Sequence, residues 1–112
     1  MSPVLQWDRH RRACDNIFET IGHTPLVRMG RISQGLSSEL FGKLEWFSPT
    51  GSLKDRIYYA MFTRAEERGD LRPGMKVIEC STGNAGISCA FVAAIKGYPC
   101  TIVMPEGLSE ER

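Results

Sequence analysis

No run of apolar residues in this chain approaches the about 20 that a membrane-crossing helix needs. An excess of one charge is lacking too: 14 Lys and Arg stand against 13 Asp and Glu, a formal net charge of +1. That balance gives no electrostatic case for a nucleic-acid or membrane-surface partner. The opening stretch, MSPVLQWDRHRRACDN, is basic and has none of the apolar core of a secretory signal, so a cytoplasmic setting is expected. The four cysteines, Cys14, Cys80, Cys89 and Cys100, include no C-x-x-C and no paired metal spacing. Three of them fall inside apolar runs, where free cysteine acts as a small buried hydrophobe. His10 and Cys14 are four apart, but two ligands in an arginine-rich tail do not make a metal site, and no metal is expected. Gly-x-Gly-x-x-Gly, the Walker loop and the Gly-x-Ser-x-Gly elbow are all missing, which removes the usual nucleotide and hydrolase fingerprints.

What is present is an ordinary globular composition, 42% hydrophobic and 24% charged, in 112 residues. A chain of this size suits one domain and buries roughly 65% of its unfolded surface. Residues 1–16 read as a basic arm. From Ile17 onward, Pro25 to Met29 and Leu40 to Phe47 read as strands, separated by a polar loop. Leu53, Ile57, Ala60, Met61 and Ala65 recur at helical spacing, with Ser52 as N-cap, Asp55 as a capping-box partner and Gly69 as the stop. Met75 to Cys80 reads as a strand, Ala85 to Lys96 as a helix closed by Gly97, and Cys100 to Met104 as a strand. Strand, helix and strand within about 30 residues make a βαβ unit with a parallel pair. The expected fold is therefore α/β, an open and mainly parallel sheet with flanking helices. The second helix, AGISCAFVAAIK, is apolar nearly all round, as in helices buried on more than one side. Ser109-Glu110-Glu111-Arg112 reads as the start of another helix, so the chain is expected to be the leading part of a larger protein.

Two loops carry the chemistry. In Ser48-Pro49-Thr50-Gly51-Ser52-Leu53-Lys54-Asp55-Arg56, a lysine occupies the first turn of a helix, where exposed N–H groups make the end positive and a cation unwelcome. One reading is a solvated surface lysine with its stem along the helix. The other is an amine meant to react in its neutral form, as imine chemistry requires. In Cys80-Ser81-Thr82-Gly83-Asn84-Ala85-Gly86, small and polar residues lie between a strand and a helix, where open parallel sheets bind ligands. Helix N–H donors there suit an anion. A plain N-cap with a glycine-eased turn explains the same residues equally well.

Taken together and in order, Ile21-Gly22-His23-Thr24-Pro25-Leu26-Val27, the lysine stretch, Ser81-Thr82-Gly83-Asn84-Ala85-Gly86 and Met104-Pro105-Glu106-Gly107-Leu108-Ser109-Glu110-Glu111-Arg112 resemble the cysteine synthase and cystathionine β-synthase family. These are pyridoxal-phosphate enzymes of the tryptophan-synthase-β structural class, also called fold type II. The resemblance implies that Lys54 forms the imine with pyridoxal 5'-phosphate and later removes the α-proton. It implies that Asn84 hydrogen-bonds the cofactor's ring hydroxyl, and that Ser81, Thr82, Gly83 and the Ala85 position hold the amino-acid carboxylate. The implied reaction is β-replacement on an activated serine, O-acetylserine or similar, by a sulfur nucleophile to give cysteine. A homodimer is implied for the full-length form.

Some residues depart from the family pattern. Ala85 stands where cysteine synthases commonly carry threonine, and Ser48 replaces the usual asparagine. Pro49-Thr50-Gly51-Ser52 leans toward threonine synthases and serine or threonine dehydratases, an elimination alternative. The glycine-rich phosphate cup and the residue facing the pyridine nitrogen have no counterpart in residues 17–112, so this stretch is expected to be the N-terminal part of the enzyme, inactive alone. A non-catalytic α/β interaction module is the alternative from another class.

Overall fold

A computed structural model describes residues 12–112; the basic arm up to position 11, with His10, lies outside the described residues. The first helical turn among the described residues is a 3-10 helix at Ile17–Thr20, started by a capping box. The Asn16 side chain accepts from Phe18 N–H, and Glu19 reaches back to the Asn16 amide. Strand β1 (Leu26–Arg28) pairs antiparallel with β2 (Phe41–Lys43), Leu26 opposite Lys43 and Arg28 opposite Phe41. The predicted strand from Leu40 to Phe47 is cut short. After Lys43 the chain bends at Leu44 (φ −85°, ψ 76°) into a 3-10 turn at Glu45–Phe47, leaving Trp46 and Phe47 exposed.

Helix α1 spans Lys54–Glu67 and helix α2 Asn84–Lys96, with strand β3 (Val77–Cys80) before α2 and strand β4 (Cys100–Val103) after it. β3 and β4 pair in parallel, Val77 against Cys100 through Cys80 against Val103, as the strand–helix–strand pattern predicts. Gly97 takes the left-handed conformation (φ 82°) that ends α2 and turns the chain toward β4. The expected helix at 109–112 is a single turn, closed by Arg112 N–H donating to the Ser109 carbonyl.

The two helices run side by side in the same direction. At their starts Ser88 meets Asp55; at their ends Lys96 and Tyr98 meet Glu66. Between these contacts lies the core, built from Tyr58, Phe62, Cys89, Val92, Ala93 and Tyr98. The helical stripe expected from the sequence is not the buried one. Leu53, Ile57 and Met61 are exposed, while Asp55, Tyr58 and Phe62 face α2. The aromatic face covers α2 more fully and adds the Tyr58 hydroxyl, which donates to Glu79 of β3. Phe18 closes this layer, 4.9 Å from the Tyr59 ring and 6.0 Å from the Phe91 ring.

Cysteine placement follows the sheet's two faces. Cys89 is buried and Cys100 half-buried against the helices, but Cys80 is exposed, because alternate residues of β3 face opposite ways and Cys80 shares the bare face with Ile78. All four cysteines are free thiols. Among the described residues, no helix is long and apolar enough to cross a membrane.

Candidate functional site

The carboxyl-end edge of the parallel strands carries the 81–83 loop and the start of α2, and the start of α1 is joined to α2 there through Asp55 and Ser88. Ser81 N–H donates to the Val103 carbonyl, so the loop of residues 81–83 sits at the carboxyl ends of both β3 and β4. α2 begins from this loop at Gly83, which has extended backbone and no side-chain cap. The Ser81 hydroxyl accepts from the amides of Gly86 (2.8 Å) and Gly83 (3.2 Å) and so shapes the turn itself. Among the described residues, the side chains of Thr82 and Asn84 have no hydrogen-bond partner, and both residues are exposed. A Cβ on Gly83 would meet nothing, whereas one on Gly86 would come within 3.1 Å of Ile102 Cγ2 and 3.2 Å of Ser81 Cβ. Gly86 is thus glycine so that α2 can press against β4. Ala85 turns inward and packs on the core.

Lys54 opens α1 at that same end. The preceding chain turns at Gly51 (φ 83°), whose N–H donates to the Ser48 carbonyl. Ser52 is buried and its hydroxyl accepts from Lys54 N–H at 3.2 Å, without the reciprocal bond of a capping box. Asp55 does not complete that box. Its carboxylate, fully buried, accepts instead from Thr50 N–H (2.8 Å), the Thr50 hydroxyl and the Ser88 hydroxyl (2.6 Å). Asp55 therefore ties the lysine loop to α2.

Arg56 ties the same turn to the other side. Its Nε donates to Glu45 at 3.0 Å, and its Nη2 donates to Glu45 and to the Thr24 hydroxyl, each at 3.2 Å. Arg56 first, then the Thr24 hydroxyl, holds the Glu45 carboxyl below the usual glutamate range. The guanidinium lies beneath Gly22, where a Cβ would stand 3.0 Å from Nη1. Of the three consecutive polar residues, two are locked and one is not: Lys54 is half-buried and takes part in none of the ion pairs among the described residues.

A cavity of about 580 Å³ lies over the 81–84 loop, lined also by Ile87, Ala90, Ile102, Met104 and the turn at 111–112. Ser81, Thr82, Gly83 and Asn84 line it together; Lys54 and Ala85 do not. The structure thus groups the loop residues in one cavity, while Lys54 begins the helix whose next residue, Asp55, is bonded to Ser88 of α2. Sequence reasoning missed Thr50 and Ser88, since a contact spanning 33 residues leaves no local pattern. Ser48, noted from the sequence only as replacing the family's asparagine, has a buried hydroxyl oxygen with no partner among the described residues.

The open α/β edge thus carries a lysine at one helix start and a polar loop at the next. Residues 17–112 match the family model described as "Pyridoxal-phosphate dependent enzyme", and the chain belongs to that family. It is similar to cystathionine beta-synthase of Apis mellifera, 46% identical over 99 residues that make up 87% of this chain and 20% of that protein. Cysteine synthase B of Salmonella typhimurium is 46% identical over 94 residues, 84% of this chain and 31% of that protein. The fold matches the crystal structure of O-acetyl serine sulfhydrylase isoform 3 from Entamoeba histolytica with a TM-score of 0.84 and 40% identity, covering 91% of this chain and 32% of that one. The chain thus spans between about a fifth and a third of the length of these relatives.

Proposed function

We propose that residues 17–112 are the lysine-bearing portion of an enzyme that performs β-replacement on O-acetylserine or a similar activated serine, using a sulfur nucleophile to form cysteine. Residues 1–16 are a basic arm in this reading, and the working form is a cytoplasmic homodimer. One observation carries it: the starts of α1 and α2, with Lys54 on one and the Asn84 loop on the other, are joined through Asp55 and Ser88. The available groups also fit pyridoxal phosphate in kind. Among the described residues, the Lys54 amine takes part in no ion pair, which suits an aldehyde, and the Asn84 carboxamide has no partner, which suits a ring oxygen.

When bound, pyridoxal phosphate supplies an electron sink for charge developing on the substrate's α-carbon. The residues of this chain bind, orient and move protons around it. Lys54 Nζ would hold the cofactor in the absence of substrate and, once the substrate amine had displaced it, would serve as general base for the α-proton. Asn84 would donate its side-chain amide to the ring oxygen. The Thr82 hydroxyl and the helix-start amides of α2 hold the substrate carboxylate, as anions bind at such ends. Gly83, with open space where a Cβ would stand, lets that carboxylate approach the backbone. Ser81 contributes by holding the loop's shape through Gly83 and Gly86. Ala85 adds no hydroxyl there.

A second reading, elimination from serine or threonine, rests on Pro49-Thr50-Gly51-Ser52, which leans toward threonine synthases and serine or threonine dehydratases. The deciding experiment takes the full-length gene product and incubates it with pyridoxal phosphate and either O-acetylserine plus sulfide or serine and threonine alone. Cysteine formation, lost in Lys54→Ala, supports replacement. Oxo-acid and ammonia without cysteine would favour elimination. A protein showing neither, and no Lys54-dependent visible absorbance with the cofactor, would be left with the non-catalytic role.

A further inference from the structure

Asp55 is a carboxylate with no exposed surface, and none of the ion pairs among the described residues includes it. Burying a charge is costly unless hydrogen bonds replace the lost water. Here three donors supply the replacement in fixed directions. Thr50 N–H serves Oδ2, while the single protons of the Thr50 and Ser88 hydroxyls both go to Oδ1. The two hydroxyl oxygens are themselves 3.3 Å apart, so all three side chains form one closed cluster. Ser88 is fully buried as well. An apolar contact at this place would hold the helices together and still let α1 rotate; charge-assisted bonds of fixed geometry do not.

We propose that Ser88 and Thr50 are positioning residues, which through the Asp55 carboxylate set the Lys54 amine against the Asn84 loop. This rests on the reading of Lys54 as the cofactor lysine. Successive residues of an α-helix point about 100° apart, so fixing the direction of Asp55 fixes that of Lys54. Ser88 follows Asn84 by four residues and lies on the same face one turn further on. The bond between Ser88 and Asp55 therefore sets the rotation of one helix start against the other. Arg56, held by Glu45 and Thr24, prevents the same turn from pivoting away on its far side. Placement at this level matters because a shift of about 1 Å at a reacting group can cost about 100-fold in rate.

The experiment adds pyridoxal phosphate to the protein, traps the lysine adducts with borohydride, and measures labelling at Lys54 against Lys43, Lys76 and Lys96 by peptide mass spectrometry. Trapping captures short-lived adducts, so weak binding suffices. The three other lysines serve as internal standards that a general loss of stability would move together. Wild type is expected to label Lys54 well above the others. Ser88→Ala and Thr50→Val should reduce that excess at least fivefold and leave the other three unchanged, while Thr50→Ser, which keeps the hydroxyl, should stay within twofold of wild type. Thermal unfolding of each variant identifies any that fail to fold, and Thr50→Val, nearly equal in shape to threonine, covers a failure of Ser88→Ala. Folded Ser88→Ala or Thr50→Val protein with undiminished Lys54 labelling overturns the positioning role. Wild type that shows no Lys54 excess overturns the reading of Lys54 itself, and this inference with it.

Discussion

Lys96, in the last turn of α2, donates to the Glu66 carboxylate near the end of α1 at 2.6 Å, and the Tyr98 hydroxyl donates to the other carboxylate oxygen at 2.9 Å. The pair closes the helix layer at the end away from the candidate site. Lys96, and after it Tyr98, holds the Glu66 carboxyl below its ordinary value, with partial burial working the other way. In return, burial and then Glu66 push the Tyr98 phenol up.

The sign of the resulting pH dependence is fixed. Glu66 and Glu45 both have folded pKa values below the unfolded value of about 4.3, so each adds stability that is fully present above that pH. That stability is lost as pH falls below about 4 and through the depressed folded values. Urea unfolding at pH 7 and at pH 3.5 should show a loss that is smaller in Glu66→Gln, by about 1 kcal/mol for a partly exposed pair. An identical acid loss in the variant would contradict the assignment.

Gly86→Ala tests whether helix propensity or packing governs the start of α2. Alanine in place of glycine in a helix usually gains about 1 kcal/mol. Here the added methyl meets Ile102 at 3.1 Å and Ser81 at 3.2 Å, and overpacking of this kind costs about 1–3 kcal/mol. The melting temperature should therefore fall by several degrees rather than rise, and affinity for pyridoxal phosphate should fall as the loop held by Ser81 shifts. A rise in both would show that the loop yields freely.

Thiol reactivity should sort by burial. Burial, and then the neighbouring Cys100, pushes the Cys89 thiol up to about 12, so it has almost no thiolate at neutral pH. Cys80 is exposed on the outer face of β3. In native buffer a maleimide should modify Cys80 at least tenfold faster than Cys89, and the difference should vanish in denaturant. Equal native rates would mean that the helix layer opens readily.

The sequence made some of these elements plain and hid others for physical reasons. The span of α2 was legible because Gly97 marks its end and small polar residues mark its start. The β3–β4 pair was legible because short apolar runs flank that helix. Asp55 was misread because an acidic residue three after a serine fits both a local cap and a distant hydroxyl. Only tertiary packing decides which bond forms. The stripe of Leu53, Ile57 and Met61 was misleading for a related reason: periodicity reports an apolar face but not which face meets a partner. Of the candidate site, Lys54 and the 81–84 loop could be named in advance from family likeness. Thr50 and Ser88 could not, since hydroxyls far apart in the chain have no spacing to read.

Those outward apolar residues carry a prediction of their own. Ile78 is 67% exposed and Val103 48% exposed on the uncovered face of the parallel pair, and Ile87 on α2 is 53% exposed. A bare apolar sheet face of this kind is seldom tolerated in a soluble monomer. The 112-residue chain alone should self-associate in sedimentation velocity and show no turnover of O-acetylserine with sulfide. A single monomeric boundary, or robust turnover, would refute the expectation.

Gly22, with its left-handed backbone and its place against the Arg56 guanidinium, gives a surface turn an unexpected reach. Any larger side chain there would both strain the turn and displace the cation that steadies the helix start two residues after Lys54. A sequence variant at position 22 would look harmless on a map of distances along the chain, yet its clearest symptom should be a misdirected amine.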